Sequence, residues 1–514
     1  MIRIFTKVVL FLLNIYCLLN AQIYVSPGGD DNTNPGTFDQ PFKTITKAIS
    51  VSVAGDTIYV RGGTYTLTTT IQIPTSKNGT SSSKFYLFAY TADSVRPVLD
   101  FSSMLVGSSN RGIYLKASYW HIRGIDINGA GDNGMIISGS NNIVEFCSFF
   151  KNRDTGLQLG GGASNNQIIN CDSYYNADPG QGNADGFAPK LDVGTGNYFY
   201  GCRSWQNSDD GWDGYLRPRP LNVPTTTLEN CWTFMNGYLE NWSQSTGNGN
   251  GFKMGGSDSA NLAHNFILKK CLAFDNRVKG FDQNNNRGSM TLYNCTGYRN
   301  LSKNYSISGA IDSGKTLTLI NCLALGAVGS LGGFAVQLTN SWLSPFTPPA
   351  NTDFISVDTI GVRGPRKVDG SLPDITFMHL ESGSQFVDAG TDVGLPYNGI
   401  APDIGAFETS GPTIVNNKEI VPALFKLSQN YPNPFNPSTT FNIEIPHSSR
   451  VEIAVYNILG KKVRTLLSEE KSAGSYTVLW NGLADDNTTA PSGIYFFRML
   501  TEKFSAIRKI IMMK

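Results

Sequence analysis

The chain has 514 residues, a formal net charge of +1 and 54 glycines. That length accommodates two or more domains, and the balanced charge argues against both a nucleic-acid binder and an acidic tail. Long helical stretches are scarce beside abundant Gly, Asn, Ser and Thr, which points to an all-β, turn-rich protein.

Residues 1–21 read as a secretory signal peptide. Arg3 and Lys7 precede an apolar run over 8–19, and Ala21 offers a cleavage edge. The run is short for a membrane span and is interrupted by Asn14. Residues 22–65 then form an N-terminal cap region. A strand, I-Y-V, leads through Gln40-Pro41 to F-K-T-I-T-K-A-I-S, whose helical periodicity with Pro in the first turn predicts a capping helix over an open sheet end.

Seven cysteines follow, at 147, 171, 202, 231, 271, 295 and 322, each in a short strand such as V-E-F-C-S-F-F or L-E-N-C-W-T-F. A recurrence of this length in short strands means a solenoid, here a parallel β-helix with one coil per repeat. The cysteines are expected to form a reduced, inward-facing ladder. Stacked side chains pointing in parallel make the disulfide dihedral difficult.

A second column fixes the register. Gly plus an apolar residue recurs as Gly134-Met135, Gly156-Leu157, Gly186-Phe187, Gly211-Trp212, Gly251-Phe252 and Gly280-Phe281. The apolar residue plugs each coil; Trp205 and Trp212 are read as plugs rather than sugar platforms. In this register Asp185 lies one coil below Asp210, and Lys253 one coil above Asp213 with Asp282 beyond it. All fall on one face given a ~4.8 Å rise between coils. Loop insertions cluster in the same coils, as they do on the binding faces of solenoids.

Asp185, Asp209, Asp210 and Asp213 so close together call for a positive partner. The all-oxygen donor set favours Ca²⁺ over Mg²⁺ or zinc, although aspartates that merely cap turns satisfy the same spacing. Lys253 is equally readable as a general base or as a neutraliser of the acids. Lys190, Arg217, Arg219, Asn250, His264 and Asn284 are further polar candidates for substrate binding. The coils are expected to run to about Glu408, with residues 22–408 as the main domain and 409–421 as a linker. Residues 422–514 read as five strands of a small Ig-like β-sandwich.

N-A-D-G-F (183–187), N-S-D-D-G-W-D (207–213), N-G-F-K-M-G-G (250–256) and C-L-A-F-D-N (271–276) resemble the family-9 polysaccharide lyases, pectate lyases with a right-handed parallel β-helix. The resemblance implies that the four aspartates hold a catalytic Ca²⁺. It also implies that Lys253 is the base that takes the C5 proton of a 1,4-linked galacturonan during β-elimination. Q-N-Y-P-N-P-F-N-P-S-T-T-F-N-I-E-I (429–445), with V-Y-N-I-L-G-K-K-V and the basic end R-K-I-I-M-M-K, resembles the type A sorting domain of type IX secretion. That resemblance implies handling by the type IX machinery. The protein would then leave a Gram-negative cell through periplasm and outer membrane, to be secreted or held at the surface. A monomer acting on a pectic polysaccharide, with no nucleic-acid partner, is the expectation. The competing readings are a lyase on another uronate polymer such as rhamnogalacturonan, a polygalacturonase-type hydrolase using paired acids, and a non-catalytic glycan-binding solenoid.

Overall fold

The computed structural model describes residues 21–217, 223–258, 262–409, 425–430, 433–502 and 504–513. Two compact units divide the chain, 1–414 and 415–514.

The first unit is a parallel β-helix. Three long sheets, of twelve, ten and nine strands, run its length, and each coil contributes one strand to each sheet in turn. Every strand pairs in parallel with its counterparts in the coils above and below. The plug column stands as the sequence register predicts: Met135, Leu157, Phe187, Trp212, Phe252 and Phe281 are successive partners. The aromatic members pack on one another inside the coils, with the Trp212 ring centre 4.8 Å from that of Phe187 and 5.0 Å from that of Phe252. The preceding glycine is required by the closeness of the coils. A Cβ on Gly211 would lie 2.0 Å from Thr233 Oγ1 and 2.6 Å from the Gly251 carbonyl oxygen. The seven cysteines are buried and free. Each thiol from Cys171 onward leans on a carbonyl of the coil below, as Cys171 does on Val144 at 3.6 Å.

A second internal column was not anticipated. Asn152, Asn176, Asn207, Asn236, Asn276 and Asn300 are buried, and each side-chain amide donates to the side-chain oxygen of the next at 2.8–3.0 Å. Such a ladder satisfies polar groups that would otherwise be costly to bury. The residue before each of the first five is left-handed (Lys151, Tyr175, Gln206, Met235 and Asp275, φ 49° to 58°). This tight corner turns the chain from the ten-stranded sheet towards the nine-stranded one.

The helix Ile45–Val51 covers the N-terminal end, burying Ile45, Ala48 and Ile49. Its cap is Thr44, whose hydroxyl oxygen accepts the Lys47 N–H at 3.1 Å. Pro41 therefore precedes the helix instead of occupying its first turn. At the other end the coils stop earlier than expected, with the strand Val336–Leu338. Residues beyond it run back along the outside of the ten-stranded sheet, where Phe377, Phe386 and Ile404 bury Trp205, Phe234 and Phe274. Trp205 thus packs outside the coils, in a stack with Tyr174 and Phe234, whereas Trp212 is a true plug. A buried ion-pair cluster pins this segment: Asp172 accepts from Arg203 at 2.8 Å and from Arg366 at 2.6 Å. Among the described residues no helix is long and apolar enough to cross a membrane.

The second unit is a sandwich of a three-stranded and a four-stranded antiparallel sheet. Its core includes Phe441, Ile453, Trp480 and Phe497.

Candidate active site

The asparagine ladder delivers the acids. Asn207 is held between Asn176 and Asn236, so Ser208, Asp209 and Asp210 leave the corner in a fixed direction. Trp212 then anchors the chain inward, and Asp213 follows on the outer side of the strand Trp212–Asp213. One coil up, Lys253 pairs with Asp213 in register, and Asp282 pairs with Lys253 one coil further.

Backbone amides orient the carboxylates. Asp185 accepts the Asp210 N–H at 3.1 Å, and Asp210 accepts the Asn250 N–H at 2.7 Å. The Asn248 N–H donates to Asp209. Ligand oxygens of Asp185, Asp209 and Asp210 all lie within 4.8 Å of one another, and all three residues are buried. Lys253 Nζ stands 2.9 Å from Asp210 and 3.2 Å from Asp213. Lys190 Nζ stands 2.7 Å from Asp185 and 3.6 Å from Asp213.

The electrostatics of this arrangement are lopsided. Burial, together with the neighbouring Asp210 and Asp185 charges, pushes the Asp209 carboxyl up to about 9. Burial, with Asp213 and Asp210, pushes Asp185 up to about 7 against the pull of Lys190. Burial alone would raise Asp213 as well, but Lys253 and Lys190 more than offset it and hold its carboxyl below the usual range. Burial works to lower Lys253, yet the four aspartates keep it well above its ordinary 10.5. Two ammonium groups therefore leave three buried carboxylates under-compensated, and this all-oxygen donor set fits a hard divalent cation.

The site opens into a groove of about 590 Å³. Asp209, Asp213, Lys190, Lys253, Tyr215 and Arg217 line it, and Asp132 and Asp154 extend it across the coils below.

A family model for the Pel9A-like right-handed β-helix region matches residues 23–317, more than half of the chain. The chain belongs to this family of polysaccharide lyases. Pectate lyase L of Dickeya chrysanthemi is 38% identical over 397 residues, covering 75% of this chain and 90% of that protein. The crystal structure of pectate lyase Pel9A superposes with a TM-score of 0.69 at 36% identity, covering 76% of this chain and 96% of that one. A rhamnogalacturonan lyase superposes with a TM-score of 0.61 at 28% identity, covering 70% and 96%. A FlgD Ig-like domain model matches residues 431–503.

The lyase brings most, but not all, of the residues singled out from sequence into one place. Asp213 lies outside the triad of clustered oxygens, 3.2 Å from Lys253 and 3.6 Å from Lys190, and Asp282 pairs with Lys279 at 3.0 Å. Lys190 is buried within the acidic cluster, whereas Arg217 is exposed in the groove beside Asp258 at 3.6 Å. Asn250 is buried against Asp210, and its side-chain oxygen has no hydrogen-bond partner among the described residues. His264 sits in the interior of the coils rather than on the groove lining. Its ring is fully buried, bonded to Thr226 Oγ1 at 2.9 Å and to the Gly214 carbonyl at 3.1 Å, and burial lowers it to about 4. Asn284 donates to the Gly255 carbonyl at 3.0 Å and belongs to a turn, not to the groove. Arg219 lies outside the described residues.

Asp132 and Asp154 were missed. Both stand two residues before a column glycine, the position of Asp209 in its own coil. Carrying the position two residues before the glycine down to Gly134 and Gly156 finds them. Burial, partly offset by Lys190, raises Asp154 to about 6.

Proposed function

We propose that this lyase is a Ca²⁺-dependent pectate lyase that cleaves 1,4-linked galacturonan by β-elimination, with Lys253 as the base. The observation that carries the reading is Lys253 Nζ lying at 2.9 Å from the buried carboxylate triad, open to a polar groove. The 38% identity to pectate lyase L supports the substrate class.

Asp185, Asp209 and Asp210 would hold the ion, with Asp213 at its edge between the two lysines. Bound there, Ca²⁺ supplies the positive charge that offsets the carboxylates, lowers the proton affinity of Lys253 and neutralises the uronate carboxylate of the substrate. Lys253 takes the C5 proton, which is acidified by the adjacent C6 carboxylate. The electron pair forms the C4=C5 double bond, the C4–O bond breaks, and the leaving oxygen takes a proton from water. Lys190 stays protonated against Asp185 and Asp213 and offsets part of the carboxylate charge, while Arg217 presents donors to neighbouring uronates.

Incubating the purified chain with polygalacturonate and following the ultraviolet absorbance of unsaturated product tests the reading. Rhamnogalacturonan in parallel tests the nearest competing substrate, for which a structural neighbour exists. Unsaturated product from rhamnogalacturonan alone would replace pectate with that polymer.

We further read residues 422–514 as a type IX sorting domain, on the strength of the Q-N-Y-P-N-P-F-N motif and the basic terminus. The enzyme is then secreted or cell-surface. Mass spectrometry of the extracellular enzyme checks this: loss of the last ninety or so residues supports it, and an intact C-terminus contradicts it.

A further inference from the structure

A second cavity of about 460 Å³ adjoins the catalytic groove, and Arg153 lines both. One wall is the left-handed corner column: Lys151, Tyr175 and Gln206 project outward there from three successive coils. The other wall is the loop residues 239–241, part of the insertion between Asn236 and Asn250. Gln206 ties the walls together, donating to the Leu239 carbonyl at 3.0 Å.

The chemistry of this cavity suits an anionic sugar. Arg153 is exposed and has no ion-pair partner among the described residues. Lys151 Nζ lies 6.0 Å from the centre of the Tyr175 ring and 2.7 Å from Glu240, and both members of that ion pair are about half exposed. Exposed pairs of this kind contribute little and exchange readily. Glu240 thus fills, with a carboxylate, the place where a uronate carboxylate would sit. Trp242, 55% exposed, extends the loop wall and stacks under Arg363 at 4.9 Å.

We propose that this cavity is a distal subsite of the lyase, in which uronate residues beyond the reacting ones pass over Arg153 and exchange with Glu240 for Lys151. The proposal rests on the uronate reading of the catalytic groove. It predicts an asymmetry that a purely structural ion pair cannot produce: removing Lys151 weakens polymer binding, and removing Glu240 strengthens it.

Calorimetric titration of the full chain carrying Lys253→Ala with long and with short (trimeric) saturated oligogalacturonates tests this without turnover. Adding Lys151→Ala or Arg153→Ala should raise the Kd for the long oligomer about fivefold, the scale of one exposed ion pair. Glu240→Ala should lower it, and the ratio of long- to short-oligomer affinity should fall only in the cation variants. Equal Kd values in all variants, or weakening by Glu240→Ala together with Lys151→Ala, overturn the subsite. If wild type still cleaves polygalacturonate in that case, the function stands and the subsite alone fails. A chain that binds neither oligomer overturns both.

Discussion

Lys253 lies one coil above Asp213 in the same parallel sheet, with its Nζ 3.2 Å from Asp213 Oδ1 and 2.9 Å from Asp210 Oδ2. A lysine so placed is either the base or a passive neutraliser, and substitution separates the two. Lys253→Ala should lower kcat by roughly 10²–10⁴, the usual contribution of a positioned base, with circular dichroism unchanged and Ca²⁺ affinity equal or tighter. Lys253→Arg should be nearly as inactive, because a guanidinium stays protonated. Activity within tenfold of wild type in either variant would make Lys253 a neutraliser.

The triad and Asp213 should respond differently to amide substitution. Asp185→Asn, Asp209→Asn and Asp210→Asn should each weaken Ca²⁺ binding by about tenfold or more, since each removes a charged ligand. Asp213→Asn should weaken it less, because its carboxylate lies outside the cluster of oxygens within 4.8 Å of one another that the other three form. Calorimetric titration of Ca²⁺ into each variant ranks them; a larger loss for Asp213→Asn would place that residue at the centre of the ion site.

Stability should depend on pH in a cation-sensitive way. Asp185 and Asp209 are raised in the folded state, to about 7 and about 9, from an ordinary 3.8. A raised carboxyl contributes fully below its unfolded value, and that contribution is lost progressively as pH rises from there through the folded value. In chelator the Tm should therefore fall as pH rises from about 4, where the unfolded carboxyls ionise, to about 9, and saturating Ca²⁺ should remove most of the fall. Lys253 and Lys190 titrate above this window, so they do not cancel the effect. A Tm that is flat over this range in chelator contradicts the crowding of the acids.

Two buried polar features should act on stability and leave substrate affinity alone. His264→Ala removes a fully buried ring and both its hydrogen bonds, and Asn236→Ala breaks the ladder between Asn207 and Asn276. Each should cost about 2–4 kcal/mol in urea unfolding. For His264→Ala, KM on the polymer should stay within about twofold. A KM shift without loss of stability would return His264 to the substrate site.

Most of what repeats in this fold was legible, and the parts that do not repeat were not. Cys171, Gly211 and Trp212 recur at matching positions coil after coil, so one alignment yields the register, the plug column and the placing of Lys253 above Asp213. The asparagine ladder repeats equally well, one per coil, and went unread because Asn is common in turns and its burial is invisible without partners. Asn284 and His264 looked like ligands for a related reason: a polar residue in a solenoid points outward or inward by register, and no column fixed theirs. Where the coils end escaped detection, since residues after Leu338 leave the repeat and pack through irregular apolar contacts with Trp205 and Phe234. The carboxylate triad was legible as a cluster. The contact of Asp213 with two lysines was not, because it depends on Lys190 reaching across from the coil below.

The central claim is that this chain performs β-elimination with a divalent cation held by Asp185, Asp209 and Asp210. The most direct measurement is the initial rate of ultraviolet-absorbing product from polygalacturonate in chelator, then after adding Ca²⁺ and, separately, Mg²⁺. The account predicts no rate in chelator, full recovery with Ca²⁺ and poor recovery with Mg²⁺. Cleavage that survives chelation, or that yields only saturated products, would contradict it.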